Sequence, residues 1–315
     1  MKTCIVRTAE MLRLIAYSTA VTIGGVVMAA AQEPMPAAKL PAPTIADAAY
    51  GPDERHKLDF WQATGDGPRP LLVFIHGGGW HGGDKADAPP KLVVFLLEHG
   101  VSVASINYRF TKTARAPAPL HDAARAVQFL RTMAGEWKLD PSRIGGYGIS
   151  AGGVSTLWLV YHDDLADPRS ADPVLRQSSR LQTGVGLSPP LCLEAPQIAK
   201  WIGPEVLKHP MIARAVGARS GKEVLARYQE YEPILKESSP LTHVSRDDPA
   251  VLLSFPRIDP LPAMSPGSAI HHAVFGQKLK ERADSIGLEC TLRIEDRATP
   301  EEPTPEEFLL RQLKP

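Results

Sequence analysis

The sequence predicts an α/β protein: a mostly parallel central sheet, helices on both faces, and a helical insertion acting as a cap over one edge. Three observations lead there. Short continuous apolar runs such as Leu71–Ile75 (LLVFI), bounded by Pro70 and Gly77, read as strands buried on both faces. Stretches with helical spacing alternate with them, as at Leu120, Ala123, Ala124, Val127 and Leu130. No repeat of fixed period interrupts the alternation, so neither a solenoid nor a propeller is in view.

Taken in order, Leu58–Ala63 alternates in polarity as an edge hairpin strand would, and Leu71–Ile75 is the first buried strand. Pro90–Glu98 reads as a helix stopped by Gly100, where a left-handed residue ends the last turn. Val101–Ile106 is the next strand, and the periodic segment around Leu120–Leu130 the next helix. Asp140-Pro141-Ser142-Arg143 turns the chain into a strand at Ile144–Tyr147, followed by a helix over Ala151–Tyr161. Further strands fall near Thr183–Leu187, Ala250–Phe255 and Glu289–Ile294, and a last helix begins near Pro305. Residues 192–245 break the alternation with helical, proline-punctuated sequence, the expected cap.

Composition removes several functional classes. The 35 basic and 35 acidic side chains balance, so no basic excess exists to displace counterions from a nucleic acid. Three cysteines are too few for a disulfide scaffold, and 43% hydrophobic content excludes wholesale disorder. Lys2, Arg7 and Arg13 precede the apolar run Leu14–Val27, and Ala29-Ala30-Ala31 offers a small-residue cleavage pattern. That run is shorter than the roughly 20 residues a membrane span needs. Residues 1–31 are therefore expected to be a signal peptide, with export to a periplasm or beyond and no membrane association after cleavage. Residues 32–48 (QEPMPAAKLPAPTIADA) read as a Pro/Ala-rich tether, and 49–315 as the folded domain. An oxidising compartment would permit a Cys192–Cys290 bridge, but sequence cannot bring their Cα atoms together, and two buried thiols are expected.

Two glycine motifs carry the chemistry. Gly148-Ile149-Ser150-Ala151-Gly152 is a G-x-S-x-G between a strand and a helix, the context of a nucleophile elbow. Side chains at Gly148 and Gly152 would keep strand and helix apart, and the turn thrusts Ser150 out at a helix amino terminus. Taken alone, Ser150 reads equally as a capping serine. His76-Gly77-Gly78-Gly79-Trp80 follows a buried strand, and three glycines free backbone N–H groups to converge on one point. Such donors hold a developing oxyanion at roughly 3–4 kcal/mol each.

HGGGW, with INYR at Ile106–Arg109, DPSRI at Asp140–Ile144 and GISAGG around Ser150, resembles the α/β-hydrolase superfamily, in particular its secreted acetyl-esterase, lipase-like and feruloyl-esterase-like group. The resemblance covers Tyr50 to about Leu310. It implies an α/β-hydrolase fold, Ser150 as nucleophile, and an oxyanion hole from the N–H groups of Gly78, Gly79 and Ala151. By the same resemblance His76 and Gly77 support the glycine loop, and no cofactor or metal is implied.

Members of this superfamily take their acid and then their base after Ser150, in that order. Asp259, after the Ala250–Phe255 strand, is placed for the acid. After Glu289–Ile294, where the base normally follows, the chain reads Glu295-Asp296-Arg297-Ala298-Thr299 and holds no histidine; the last one is His272. Three readings compete. His271 or His272 supplies the base from the loop after Asp259; or His81, His162 or His243 reaches in; or the protein binds ligand with little turnover. The first is preferred, and His272 over His271, since the further residue has more room to turn back. Helix-start packing would explain the pair as well, and Asp259 as a turn residue before Pro260. Trp80 and Trp201 are expected to line a substrate pocket. His81 with Asp84 lacks the further ligands a metal site needs. The expected reaction is hydrolysis of carboxylic esters, acetyl or feruloyl groups on small molecules or polysaccharide, with a binding protein or a serine peptidase as alternatives.

Overall fold

A computed structural model describes residues 39–314. The expected signal peptide and the first part of the tether lie outside the described residues. Eight strands form one sheet in the order β1-β2-β4-β3-β5-β6-β7-β8. They are β1 (Ile45–Ala49), β2 (Lys57–Trp61), β3 (Arg69–Ile75), β4 (Ser102–Ile106), β5 (Leu139–Ile149), β6 (Thr183–Leu187), β7 (Val251–Phe255) and β8 (Cys290–Ile294). The β1–β2 and β2–β4 pairs are antiparallel, and β4, β3, β5, β6, β7 and β8 run parallel.

Strand β3 shows why its sequence is apolar without alternation. Leu71, Val73 and Ile75 face one buried cluster, and Leu72 and Phe74 face the other. Helices α1 (Pro90–Glu98) and α11 (Pro305–Leu313) cover the second face through Leu92, Val93, Leu96, Phe308, Leu309 and Leu313. Helices α2 (Ala118–Thr132), α3 (Ala151–Tyr161) and α10 (Val274–Ile286) cover the first. All eleven residues of α3 are buried, as its uniformly apolar and small sequence requires. The Asp140–Arg143 turn is absorbed into β5, where the register with β3 shifts between Arg69 and Leu71.

Two boundaries differ from the expectation. Leu58–Ala63 does not form an edge: β2 lies second in the sheet because Ile45–Ala49, all but its last residue expected within the tether, pairs alongside it. Local polar bonds hold this segment. Trp61 Nε1 donates to the Pro41 carbonyl (2.8 Å), the Gln62 amide to Thr44 Oγ1 (2.9 Å), and the Asp47 amide to Asp59 Oδ1 (2.9 Å). Composition read this segment as unable to fold alone, and it does not need to, because a neighbouring strand completes its hydrogen bonds. Cys192 and Cys290 are both free and buried, and burial pushes each thiol up to about 12.

Between β6 and β7 the chain is helical, as expected of 192–245. The segment contains α4 (Ala195–Ile202), α5 (Pro210–Val216), α6 (Gly221–Ala226), α7 (Tyr228–Glu237) and α8 (Pro240–His243). After β7 comes a five-residue helix, α9 (Pro266–Ile270), capped by the Ser265 hydroxyl accepting from the Ser268 amide.

Candidate active site

Ser150 stands between β5 and α3 with φ 54° and ψ −119°, a conformation costly for a residue with a side chain. The surrounding chain enforces it. The Ser150 amide donates to the Leu187 carbonyl (2.8 Å), and the Val154 amide to the Ser150 carbonyl (3.0 Å). A Cβ on Gly152 would lie 2.0 Å from the Ile75 carbonyl oxygen, so only glycine lets α3 leave this close to β3. Strand, strained serine and helix together form the elbow read from G-x-S-x-G.

The glycine loop after β3 lies against it. Gly78 (φ 95°) and Gly79 (φ 62°) occupy left-handed conformations, and a Cβ on Gly78 would meet the Gly82 carbonyl at 2.3 Å. Among the described residues, the amides of Gly78, Gly79 and Ala151 have no carbonyl partner in a turn or loop. Gly77, Gly78, Gly79, Ile149, Ser150, His209, Pro210, Met211, Arg214 and His271 line one cavity of about 410 Å³. His76 is fully buried beneath the loop. It stacks on Tyr108 at 4.3 Å between ring centroids, and its Nδ1 lies 2.8 Å from the Gly77 carbonyl. The Tyr108 hydroxyl lies 2.8 Å from the His76 carbonyl and 3.1 Å from that of Gly77.

His271, at the end of α9, places Nε2 2.9 Å from the Ser150 hydroxyl. Its Nδ1 is 3.1 Å from the Gly267 carbonyl, which can only accept. Nδ1 therefore carries the proton, and Nε2 offers its lone pair to the serine. Burial lowers the His271 pKa from its ordinary 6.5, outweighing the opposing Gly267 hydrogen bond. The ring is thus neutral at neutral pH, the form a base requires.

Two expectations are corrected here. His272 does not face Ser150. The Val274 amide donates to its Nδ1 (3.1 Å), so Nε2–H donates to the Asp259 carbonyl (3.0 Å), and the buried ring has no nitrogen left to give. Adjacent residues near a helix end point in different directions, and His271 takes the one toward the serine. The Asp259 carboxylate does not reach His271. It accepts from Arg257 Nε at 2.7 Å, while its main chain is held by His272. The position after β8, where the superfamily keeps its base, is filled by Glu295, which accepts from Ser254 Oγ (2.5 Å) and Arg293 Nε (3.0 Å).

The tryptophans also move. Trp80 is fully buried, with Nε1 donating to Ser155 Oγ (3.0 Å) and its carbonyl accepting from the Thr111 amide (2.7 Å). It pins the glycine loop to α3 rather than lining a pocket. Trp201 packs against the core on α4, with the Lys278 ammonium 6.0 Å from its ring, and does not line the Ser150 cavity. The cavity wall comes instead from the start of α5. His209 Nδ1 accepts from the Met211 amide at 3.4 Å, so its Nε2 carries hydrogen, and its ring centroid is 6.2 Å from that of His271. Burial, then His271 and Arg214, lower its pKa. Sequence marks His209-Pro210 only as a helix start in the cap. A larger cavity of about 760 Å³ lies elsewhere, but its charged walls are already paired, Asp122 with Arg109 and His56, and Arg125 with Asp172. It holds no serine beside a base.

Residues 58–273 match the BD-FAE family, most of the chain. The chain belongs to the BD-FAE family. A probable carboxylic ester hydrolase of Mycobacterium tuberculosis is 29% identical over 221 residues, covering 68% of this chain and 48% of that protein. A probable isoprenylcysteine alpha-carbonyl methylesterase of Arabidopsis thaliana is 30% identical over 140 residues, 44% of this chain and 29% of that protein. The chain thus spans half or less of the length of these curated relatives. Among solved structures, a truncated carbohydrate esterase from gut microbiota has a TM-score of 0.64 at 23% identity, over 79% of this chain and 86% of that one. The acetyl ester-xyloside bifunctional hydrolase of Caldicellulosiruptor lactoaceticus has a TM-score of 0.59 at 22% identity, over 76% of each chain. At these identities the two structures support the α/β-hydrolase fold.

Proposed function

We propose that this BD-FAE family member hydrolyses carboxylic esters through an acyl-enzyme on Ser150. The 2.9 Å contact between Ser150 Oγ and His271 Nε2 carries the reading. Serine is a weak nucleophile at neutral pH, and His271 is the group oriented to take its proton as Oγ attacks the acyl carbon. The carbonyl oxygen becomes an oxyanion, held by the N–H groups of Gly78, Gly79 and Ala151 at the amino end of α3. The imidazolium then gives its proton to the departing alcohol, and a water, deprotonated by the same ring, releases the acid.

The acyl group we favour is acetyl-sized rather than feruloyl. Beside Ser150, the cavity walls are glycine, isoleucine, proline, methionine, histidine and arginine, and among the described residues they hold no tryptophan, tyrosine or phenylalanine on which a feruloyl ring would stack. Exposed Arg214 at the rim and the Nε2–H of His209 suit a hydroxyl-rich or polysaccharide-linked alcohol. The basic, apolar and small-residue order of residues 1–31 supports action outside the cytoplasm. Among the described residues no helix is long and apolar enough to cross a membrane.

A fluorophosphonate probe tests the mechanism. Wild-type protein should label stoichiometrically and hydrolyse p-nitrophenyl acetate, and Ser150→Ala should do neither. Absence of labelling in folded wild type would favour the competing reading, a binding protein on a hydrolase scaffold. One observation supports that competitor: the His271 Nδ1 partner is a neutral carbonyl and not a carboxylate.

A further inference from the structure

At the far end of α3 from Ser150, three donor side chains meet where helices end. His162 caps α3, Glu237 is the last residue of α7, and His243 is the last residue of α8. One ring nitrogen of each histidine and a Glu237 carboxylate oxygen lie within 4.8 Å of one another. His162 Nε2 is 3.1 Å from Glu237 Oε1, and the two imidazole centroids are 4.7 Å apart.

The surrounding hydrogen bonds fix where the lone pairs lie. His162 Nδ1 is 2.8 Å from the Asp163 carbonyl, an acceptor only, so that nitrogen carries hydrogen. His243 Nε2 is 2.8 Å from the Glu237 carbonyl, and the same reasoning leaves the free pair of the neutral ring on Nδ1. In the neutral ring, His162 Nε2 turns a lone pair toward a carboxylate oxygen, which is also an acceptor. Two acceptors at that distance repel unless positive charge lies between them.

A backbone carbonyl holding the far nitrogen is the arrangement by which proteins orient metal-ligating histidines. The 3.1 Å separation between His162 and Glu237 also matches the edge, about 3.3 Å, of a tetrahedron with 2.0 Å ligand bonds. Carboxyl-terminal helix ends add partial negative charge that favours a cation. The Glu237 main chain is fixed further by Trp158 Nε1, 2.8 Å from its carbonyl. The side chains of His162 and Glu237 are 16% and 36% exposed, leaving room for a water ligand.

We propose that His162, Glu237 and His243 bind a divalent transition metal of the zinc class, with water completing the coordination. Two imidazoles and one carboxylate form a donor set that zinc accepts and that calcium or magnesium, which take oxygen ligands, do not. The metal clips α7 and α8 of the cap insertion to the end of the helix whose other end carries Ser150. The eleven residues of α3 separate the two sites by about 17 Å at 1.5 Å per residue, so the metal takes no part in acyl transfer.

The test is calorimetric titration of tag-free, chelator-treated protein with zinc chloride at pH 7.5, with thermal melts alongside. One saturable zinc per chain and a zinc-dependent rise in Tm are expected. His162→Gln, Glu237→Gln and His243→Gln should each weaken binding about tenfold or more. In wild-type protein, zinc should also shift the imidazole NMR signals of His162 and His243, a readout independent of whether any variant folds. No saturable binding, affinity unchanged in all three variants, or unmoved imidazole signals would overturn the site and leave an imidazolium–carboxylate pair.

Discussion

His271→Ala is expected to lower kcat/KM for p-nitrophenyl acetate about a thousandfold, far less than the roughly millionfold cost of removing the base from a complete serine–histidine–carboxylate triad. The difference follows from the partner of Nδ1. A carboxylate beside the imidazolium at about 4 Å contributes about 4 kcal/mol at an effective dielectric of 20, close to three powers of ten in rate. The Gly267 carbonyl, 3.1 Å from Nδ1, fixes the same tautomer without supplying that charge. The wild-type rate therefore begins about three powers of ten lower, and loss of the base removes correspondingly less. Initial rates at pH 7.5 on purified variants give the number, with circular dichroism melts confirming that each is folded. Asp259→Asn is the decisive companion, because Asp259 bonds Arg257 and is expected to change kcat/KM by no more than about twofold. A hundredfold loss in Asp259→Asn at unchanged Tm would show the carboxylate reaching His271 and refute the dyad. Wild-type activity in His271→Ala would refute the base itself.

Further outcomes concern pH and packing. Activity should be full above pH 7 and fall along an acid limb with its midpoint below 6.5, because burial lowers the His271 pKa and the protonated ring cannot accept the serine proton; a pH–kcat/KM profile measures it. Stability should decline in the same direction: burial lowers His76, His121, His209 and His271, so the unfolded chain binds more protons below pH 6.5 and urea midpoints should drop as pH falls through that window. Asp122→Asn should cost about 1–3 kcal/mol in urea unfolding, since its carboxylate, 3% exposed, accepts from Arg109 at 2.6 Å and lies 3.1 Å from His56, and the partly exposed Arg109 loses its charged acceptor. Gly152→Ala should abolish labelling at Ser150 and lower Tm, because the added methyl would sit 2.0 Å from the Ile75 carbonyl oxygen in a packed elbow that cannot give way without moving α3.

Legibility followed the range of the forces involved. Strands β3 and β7 and helix α3 are readable because burial on both sides demands nearly continuous apolar residues, a local property of sequence, whereas β4, β6 and the partly buried edge strand β8 are placed by the strand–helix alternation. The elbow was readable because close backbone approach demands glycine at fixed offsets, again locally. Strand β1 was not, since Ile45–Ala49 has little apolar surface of its own and becomes a strand only where β2 offers an unpaired edge. Trp80, an aromatic beside an oxyanion loop, fits a pocket wall or a brace equally in the sequence, and only the distant Ser155 hydroxyl decides it. The base was the hardest case. Sequence order located the segment after β7, where both histidines lie. The choice between them depended on what else each ring could bond. His272 is captured from two directions, by the Asp259 carbonyl and the Val274 amide. His271 has one local acceptor, Gly267, four residues back, and so keeps one nitrogen for the serine 121 positions away. A base must retain an unspent lone pair, so of two neighbouring histidines the one with fewer hydrogen-bond partners is the better candidate. Within four residues each ring has one partner, Gly267 for His271 and Val274 for His272, so the choice is made by the Asp259 carbonyl, thirteen residues back, which takes the remaining nitrogen of His272 and leaves Nε2 of His271 for the serine.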